Sequence, residues 1–211
     1  MTGLDSRPSK KGSIIAQVMT GCSALVLTLL LLSAPARAQD DAARMAYDRE
    51  DYAQAATLYR PRADKGDAEA QYRLGMMTRF GWGVEKDAAA AAKWLQRAAE
   101  NGHALAQAEL GTMYRLGRGV PEDAQLAAHW LRSAALGGVG IAQLSIGRMY
   151  RDGTGVPRDL VEAYAWFTAA GENGVMDGFA YRSEIVPRMT AEQVDDGKRL
   201  AARIGRKEPT R

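Results

Sequence analysis

The sequence predicts an all-α fold, a right-handed superhelical solenoid of stacked helix-turn-helix repeats. When the chain is aligned with itself at an offset of 36 residues, three copies match in register, beginning at Ala70, Ala106 and Ala142. Each copy has two segments with the apolar periodicity of an α-helix, separated by a turn rich in glycine. A hairpin of this size cannot bury its own apolar stripe, so successive copies must stack into one continuous core.

The first 38 residues have the pattern of a secretory signal peptide. Its basic region contains Arg7, Lys10 and Lys11. An apolar stretch follows that is densest from Ala24 to Leu32, and Ala36 and Ala38 then supply the small side chains that signal peptidase accepts. We therefore expect cleavage after Ala38 and a mature protein that is periplasmic or secreted.

An uncleaved membrane anchor is the alternative for this segment, because residues 14–34 are about long enough to span a bilayer. Lipidation at Cys22 is disfavoured, since most of the apolar run follows the cysteine instead of preceding it. Cys22 is also the only cysteine in the chain. The mature protein is therefore predicted to have neither a disulfide nor a thiolate metal site.

The mature chain is predicted to be electrically neutral. The full sequence has 28 basic and 25 acidic residues, and removing residues 1–38 takes away four basic residues and one acidic residue, which leaves 24 of each. The basic pI of the whole chain therefore comes from the export segment. Nucleic-acid binding, which requires a basic excess on the folded domain, is not supported.

Residues 39–67 are predicted to form a degenerate helical hairpin that caps the array. Its apolar positions follow the repeat only loosely, at Tyr47, Tyr52, Ala55, Ala56, Leu58 and Tyr59. Leu58 lies one period before Trp94, and a turn at residues 65–67 leads into the first full copy.

The first helix of each copy is predicted from the spacing of its apolar residues. In the first copy it runs from about residue 68 to residue 79, and Ala70, Leu74 and Met77 are spaced i, i+4 and i+7 on one stripe. A glycine recurs in the middle of this helix, at Gly75, Gly111 and Gly147. A glycine inside a helix costs stability, so we expect the second helix to approach closely at this point.

A Gly-x-Gly-Val turn ends the first helix, because each interior glycine costs about 1 kcal/mol in a helix. An aspartate then supplies the N-cap of the second helix, at Asp87, Asp123 and Asp159. In the first copy the second helix carries Trp94 and Leu95 on one stripe and ends where Gly102 can adopt a left-handed conformation. The tryptophan recurs as Trp130 and Trp166, and we expect these rings to pack between successive hairpins.

Each copy follows the motif Ala-Gln-x-x-(Leu/Ile)-Gly-x-Met-x-Arg-x-Gly-x-Gly-Val-x-x-Asp with a later tryptophan, which resembles the Sel1-like repeat, a relative of the tetratricopeptide repeat. The resemblance covers three repeats, at 68–102, 103–138 and 139–174. It implies an adaptor or signalling role. Some periplasmic members act on the sensor domains of two-component kinases, although no residue here selects that role.

The remaining residues predict C-terminal capping helices over 175–205 and a flexible tail over 206–211. Residues 177–186 have the pattern of one helix. Thr190 and Gln193 form a capping-box start for a last helix that ends near Ile204 and Gly205.

The candidate partner-binding residues vary between copies on the side of the first helix that is expected to face the groove of the solenoid. They are Tyr72, Arg73, Met76 and Phe80 in the first copy, Ala108, Glu109, Thr112 and Leu116 in the second, and Leu144, Ser145, Arg148 and Asp152 in the third. Trp82 is a further candidate, because the equivalent turn positions are Arg118 and Thr154 and the repeat does not need the ring. Packing against the N-terminal hairpin is the alternative role for Trp82.

Arg79, Arg115 and Arg151 recur at the end of the first helix in all three copies. Stacking would set their guanidinium groups about 10 Å apart, where they could bind an acidic or extended peptide. The alternative is that each arginine compensates the negative end of its own helix, an effect of about 0.3 to 1 kcal/mol.

The sequence contains no recognisable motif for catalysis, a cofactor or a metal. His103 and His129 lack the i, i+4 spacing of a zinc helix, and the repeated Gly-x-Gly lacks the further residues of a phosphate-binding loop. Cysteine-rich members of the family have been described as binding or hydrolysing β-lactams, but their repeats each have a disulfide that this chain cannot form. We predict a protein that is not an enzyme and has no cofactor, with a periplasmic hydrolase of cell-wall or β-lactam-type substrates as the alternative.

Together these features predict an exported protein-protein interaction scaffold of the bacterial cell envelope. The expected partner is a protein or peptide held in the groove, and regulation of an envelope signalling process is a more specific form of the same role. No nucleic acid is expected as a partner, and a membrane only through an uncleaved N-terminal segment.

Overall fold

The computed structural model describes residues 36–205, in which the chain forms ten α-helices, one 3₁₀ helix and no β-strand. The predicted all-α repeat fold is confirmed. The helices are α1 (Ala36–Asp48), α2 (Tyr52–Asp64), α3 (Ala68–Phe80), α4 (Ala88–Glu100), α5 (Ala104–Leu116), α6 (Ala124–Leu136), α7 (Gly140–Asp152), α8 (Leu160–Glu172), α9 (Asp177–Ile185), the 3₁₀ helix (Val186–Arg188) and α10 (Ala191–Gly205). In this range no helix is long and apolar enough to cross a membrane. Most of the predicted signal peptide, with Cys22, and the predicted tail lie outside the described residues.

The described chain divides into two compact units, and the division falls within α2, after Leu58. The first unit contains α1 and the beginning of α2. Tyr47 and Tyr52, one on each helix, meet edge to face with ring centroids 5.4 Å apart. Glu50 in the connection has a left-handed φ of 63°, which allows a tight turn.

The second unit contains three helical pairs, one for each copy of the sequence repeat: α3 with α4, α5 with α6, and α7 with α8. The second helix of one pair packs on the first helix of the next, α4 on α5 and α6 on α7. Both α9 and α10 pack on α8. The apolar surface of the last pair is therefore covered by the capping helices.

The recurring glycine in the first helix marks the closest approach within each pair. A Cβ built on Gly75 would lie 2.8 Å from Cγ of Leu95, and one built on Gly111 would lie 2.8 Å from Cγ of Leu131. At Gly147 the ring of the facing phenylalanine would be 2.7 Å away. Any side chain at these positions would push the two helices apart, so the predicted close approach is confirmed.

The Gly-x-Gly-Val turn joins the two helices of each copy as predicted. Its first glycine is left-handed and donates its amide to the methionine carbonyl four residues earlier, at Gly81, Gly117 and Gly153. The aspartate that follows caps the second helix, and Asp87 accepts from the amides of Ala89 and Ala90 at 2.8 and 3.0 Å. The second glycine contacts the preceding repeat, since a Cβ on Gly119 would lie 2.2 Å from the carbonyl oxygen of Ala88. These contacts give the turn a structural role in the stacking of the repeats.

A glutamine near the start of each first helix connects its repeat to the preceding helix, a role that its spacing in the sequence does not reveal. Nε2 of Gln71, Gln107 and Gln143 donates to the carbonyls of Ala63, Ala99 and Ala135, respectively, at 3.0, 3.1 and 3.0 Å. The oxygens of Gln71 and Gln143 also accept from Asn101 and Asn173, at 3.0 and 2.9 Å. The equivalent residue in the second copy is Gly137, where a Cβ would lie 2.9 Å from Cβ of an alanine in α5. The second copy therefore lacks space for the asparagine.

The three repeated tryptophans are buried to different degrees. Trp166 is fully buried among residues of α6, α7 and α8, and its Nε1 donates to Oε2 of Glu162 at 2.9 Å. Trp130 is partly buried and packs on a cluster formed by α4 and α5, so both rings lie between successive hairpins as predicted. Trp94 is also partly buried, and the guanidinium carbons of Arg60 and Arg97 lie 5.3 and 5.2 Å from its ring centroid. Cation–π contacts therefore accompany this ring.

The C-terminal end of the described chain consists of α9 and α10, with the 3₁₀ helix between them. The Thr190 amide donates to Oε1 of Gln193 at 2.9 Å, and the Gln193 amide donates to Oγ1 of Thr190 at 3.2 Å. This reciprocal pair is the predicted capping box at the start of α10. A Cβ on Gly197 would lie 2.7 Å from the ring of Tyr164, so α10 packs closely on α8.

Candidate functional site

The first helices of the copies are neighbours, and these helices carry nearly all of the predicted site residues. Arg79 of α3 contacts Glu109 of α5, and Tyr114 of α5 packs on a cluster that includes residues of α7. Arg148 of α7 contacts Tyr181 of α9 in turn. We call the solvent-facing side of α3, α5, α7 and α9 the first-helix face.

The junction between α3 and α5, which we call the first junction, is closed by an ion pair. Arg79 lies in the last turn of α3, and its Nη1 donates to Oε2 of Glu109. The guanidinium carbon of Arg79 also lies 5.0 Å from the ring centroid of Phe80, which stacks on Trp82 at 4.8 Å. Phe80 stays 44% exposed. Four predicted site residues therefore form one cluster in which the positive charge is already paired.

The junction between α5 and α7, which we call the second junction, is open. Arg115 is the repeat equivalent of Arg79, but the equivalent of Glu109 is Ser145, whose hydroxyl donates to the carbonyl of Ile141 on its own helix at 2.8 Å. Within residues 36–205 the Arg115 guanidinium forms no ion pair or hydrogen bond. A pocket of about 240 Å³ lies beside it, lined by Arg115, Ser145, Arg148, Met149, Asp152 and Thr154.

The third recurring arginine is paired with acidic and aromatic groups. Nε and Nη2 of Arg151 donate to the two carboxylate oxygens of Asp152 at 2.7 and 3.0 Å, and Nη1 lies 3.8 Å from Glu184. The guanidinium carbons of Arg151 and Arg148 each lie 5.3 Å from the ring centroid of Tyr181. The hydrogen bond from Arg151 lowers the pKa of Asp152 below its usual value, so this carboxylate is charged and already bonded.

The start of α5 carries a second polar cluster. His103 caps this helix by accepting the Ala106 amide on Nδ1 at 3.2 Å, and its Nε2 lies 2.9 Å from Oε2 of Glu69. Arg73 donates to the other oxygen of Glu69 at 2.5 Å. The hydrogen bond from His103, followed by that from Arg73, lowers the pKa of Glu69 to about 2. The cluster connects α3 to the N-terminus of α5.

The structure places the predicted site residues in several different surroundings. Tyr72 and Met76 are partly buried against the α4 and α5 cluster, and Tyr72 stacks on His103 at 4.5 Å, so both contribute to packing between repeats. Arg73 belongs to the Glu69 cluster. The first junction holds Arg79, Glu109, Phe80 and Trp82, and the second holds Arg115 and Arg148, while Arg151 lies between the pocket and α9.

Two contributors to this face, Tyr181 and Glu184, were missed because α9 was treated only as a cap. A signal for Tyr181 was present in the sequence. It lies 36 residues after Ser145, just as Ser145 lies 36 residues after Glu109, so all three occupy the position that faces a recurring arginine.

A carboxyl group with a raised pKa lies away from this face. Burial raises the pKa of Glu162 on α8, and the hydrogen bond from Trp166 opposes this change. Glu162 is part of the packing between pairs, and it does not line the pocket of the second junction. Among the described residues no group of three or more His, Cys, Asp or Glu side chains could hold a metal ion.

Comparison with known proteins supports the repeat assignment. The model of the Sel1 repeat matches residues 68–103, 104–139 and 140–175. The crystal structure of c5321, a protective antigen in uropathogenic Escherichia coli strains with an SLR fold, is similar with a TM-score of 0.66 and 37% identity, and the match covers 73% of this chain and 33% of that one. A Sel1 repeat protein from Oxalobacter formigenes is similar with a TM-score of 0.57 and 38% identity, covering 60% of this chain and 95% of that one. The chain thus spans about a third of the first structure and nearly all of the second. No curated protein matched the chain significantly.

Proposed function

This chain belongs to the Sel1 repeat family, and we propose that it is an exported scaffold of the bacterial cell envelope that binds a protein or peptide on its first-helix face. Sel1 repeats are generally protein-interaction modules, and their scaffold is typically non-enzymatic. The open second junction carries the proposal, because its unpaired guanidinium beside a pocket is suited to recognition and does not stabilise the fold through a partner.

Exposed apolar side chains next to the junctions give further support. Phe80 and Leu116 occupy equivalent positions at the ends of α3 and α5 and are 44% and 39% exposed. Apolar contacts with charged groups beside them are typical of protein-binding surfaces. A partner that covers both junctions would bury these two side chains together with Arg115.

The envelope location is inferred from the sequence of residues 1–38, which has the pattern of a signal peptide. Mass spectrometry of protein purified from its native cells tests it. A mature N-terminus at Gln39 is the expected result. An intact N-terminus in the membrane fraction would instead support an uncleaved anchor. The protein would then regulate envelope signalling while it is tethered to the membrane.

Site-specific photo-crosslinking in native cells tests the binding face. A photoreactive residue replaces Leu116 on the first-helix face or, as a matched control, Leu136 at the end of α6, which is 40% exposed. We expect a discrete crosslinked partner from position 116 and none from position 136. Equal crosslinking from both positions, or none from position 116, would contradict the proposed face.

A further inference from the structure

We propose that the pocket of the second junction binds a carboxylate side chain of an acidic peptide or protein segment, with Arg115 as the main contact and Arg148 beside it. The inference rests on the proposed function, since it names the chemistry of the partner that the first-helix face would bind. It follows from a comparison of equivalent positions within the molecule.

Each recurring arginine faces the residue 30 positions later in the chain, on the next first helix or on α9. Arg79 faces Glu109 and forms an ion pair, and Arg151 faces Tyr181 and lies against its ring. Arg115 faces Ser145, whose hydroxyl is bonded to its own helix. The second junction therefore lacks the carboxylate that the first junction supplies from its own chain, and the pocket lies at that place.

The charges around the pocket favour an anion. Asp152 is the acidic residue in the lining, and both of its oxygens already accept hydrogen bonds from Arg151. Arg115 and Arg148 are the cationic residues of the lining, and neither forms an ion pair within the described part of the chain. Arg188 adds positive charge close enough to lower the pKa of Asp152. A carboxylate that enters the pocket meets two guanidinium groups and no unbonded acid in its lining.

The neighbouring apolar groups indicate how a peptide would continue beyond the pocket. Met149 lies in the lining, and Leu116 is exposed next to Arg115 in the sequence. A segment with one acidic residue flanked by apolar residues matches this arrangement. The inferred partner is therefore an acidic segment with apolar neighbours, and not a uniformly charged polyanion.

The test uses the full chain and a random dodecapeptide library displayed on phage. Selected peptides are synthesised with their acidic residues intact and with each Asp or Glu replaced by Asn or Gln, and binding is measured by calorimetry. We expect the selected peptides to share an acidic residue. Its amide replacement should weaken binding roughly tenfold, the size of a charge-assisted hydrogen-bond pair.

Two variants localise the effect. Ser145→Glu keeps every arginine and places next to Arg115 the carboxylate that Glu109 gives to Arg79, so it should weaken peptide binding by a similar factor. Ser133→Glu is the matched control, because Ser133 on α6 also donates to its own helix and does not line the pocket. Circular dichroism establishes that both variants are folded.

The outcomes separate this inference from the proposed function. If peptides bind but neither amide replacement nor Ser145→Glu weakens their binding, the proposed carboxylate pocket is contradicted and peptide binding stands. If Ser133→Glu weakens binding as much as Ser145→Glu, the effect is one of overall charge and the pocket is again wrong. If no peptide is selected, peptide binding by the first-helix face is overturned together with the pocket.

Discussion

The repeats are alike where they pack against one another and differ where their first helices meet solvent. On the packed side, the mid-helix glycine faces a large side chain of the second helix in every copy. On the first-helix face, the recurring arginine has a different environment in each copy. Arg79 contacts the Glu109 carboxylate, Arg115 lies beside an open pocket, and Arg151 contacts Asp152. One sequence motif therefore produces a uniform core and three different surfaces.

This difference has a physical cause. A residue that faces the next helix must fit fixed backbone atoms, so little variation is compatible with folding. A residue on the first-helix face contacts water or the end of a long side chain. Its replacement therefore changes the free energy of unfolding by between a few tenths of a kcal/mol and about 1 kcal/mol. Partner specificity can therefore reside on the first-helix face without any change in the fold.

Gly111→Val tests the packed side and has the largest expected effect. A Cβ at this position would lie 2.8 Å from Cγ of Leu131, 3.0 Å from its backbone nitrogen and 3.1 Å from the carbonyl oxygen of Ala127. Two of these atoms belong to the backbone and cannot rotate away. We expect the free energy of unfolding to fall by about 3 kcal/mol or more, the upper range for overpacking, as measured by urea denaturation.

Thr112→Val is the control for this change, because it places the same side chain at the adjacent, partly exposed position of α5. A milder comparison uses alanine. Gly75→Ala should cost less than Gly111→Ala, since its nearest contacts are side-chain atoms of Leu95. Equal urea midpoints for Gly111→Val and Thr112→Val would show that α5 and α6 are not in close contact there.

The same contrast explains which features the sequence could predict. The contact at Gly75, the caps at Asp87 and its equivalents, and the Thr190 capping box each involve residues within one copy or one helix, so spacing alone was sufficient. The partner of Arg115 depends on which helices become neighbours and how far each side chain reaches. Periodicity predicted that the arginines recur, but it could not show that Arg79 and Arg151 are ion-paired and that Arg115 is not.

His103 illustrates the same limit on the packed side. Its position is occupied by Asp67 in the first copy and Val139 in the third, so no cap motif recurs at this position. The imidazole caps α5 because Nδ1 faces the Ala106 amide while Nε2 reaches Glu69 of the preceding repeat. Only the packed structure brings these groups together.

Gln143→Ala and Gln107→Ala test the hydrogen bonds between repeats, with the second-largest expected effect. Gln143 is buried, donates to the carbonyl of Ala135 and accepts from Asn173, whereas Gln107 lacks an asparagine at the equivalent place. We expect losses of about 2 kcal/mol for Gln143→Ala and about 1 kcal/mol for Gln107→Ala, because each buried hydrogen bond contributes about 1 kcal/mol. Equal losses in urea denaturation would show that the Asn173 bond adds nothing.

Glu69→Gln tests the polar cluster at the start of α5 through its pH dependence. The pKa of Glu69 is lowered to about 2 in the folded protein by the hydrogen bonds from His103 and Arg73. The unfolded chain therefore takes up the proton first, and the stabilisation is complete above pH of about 4.5 and is lost as the pH falls through about 2. The wild type should be more stable than Glu69→Gln at pH 6, and the difference should shrink steadily below pH 4.5.

Urea denaturation at pH 6, 4 and 2.5 measures this difference, and Glu122→Gln, which removes an exposed carboxylate from a turn, is the control. The size of the effect is reduced by solvent screening, because the Glu69 side chain is 44% exposed. A constant difference between wild type and Glu69→Gln across the three pH values would exclude the proposed cause.

Glu109→Ser has the smallest expected effect on stability and the sharpest consequence for the comparison of the two junctions. It removes the partner of Arg79 and gives the first junction the arginine and serine pair of the second. The pair is partly exposed, so the free energy of unfolding should fall by less than about 1 kcal/mol.

If an unpaired guanidinium is what recognises a carboxylate, Glu109→Ser should bind the acidic peptides selected by the wild type at a second site. Calorimetry would then give a stoichiometry near two, and Glu109→Ser combined with Arg79→Gln should restore one site. A stoichiometry that stays at one would mean that the shape of the pocket around Arg148 and Asp152, and not the free arginine alone, decides where the partner binds.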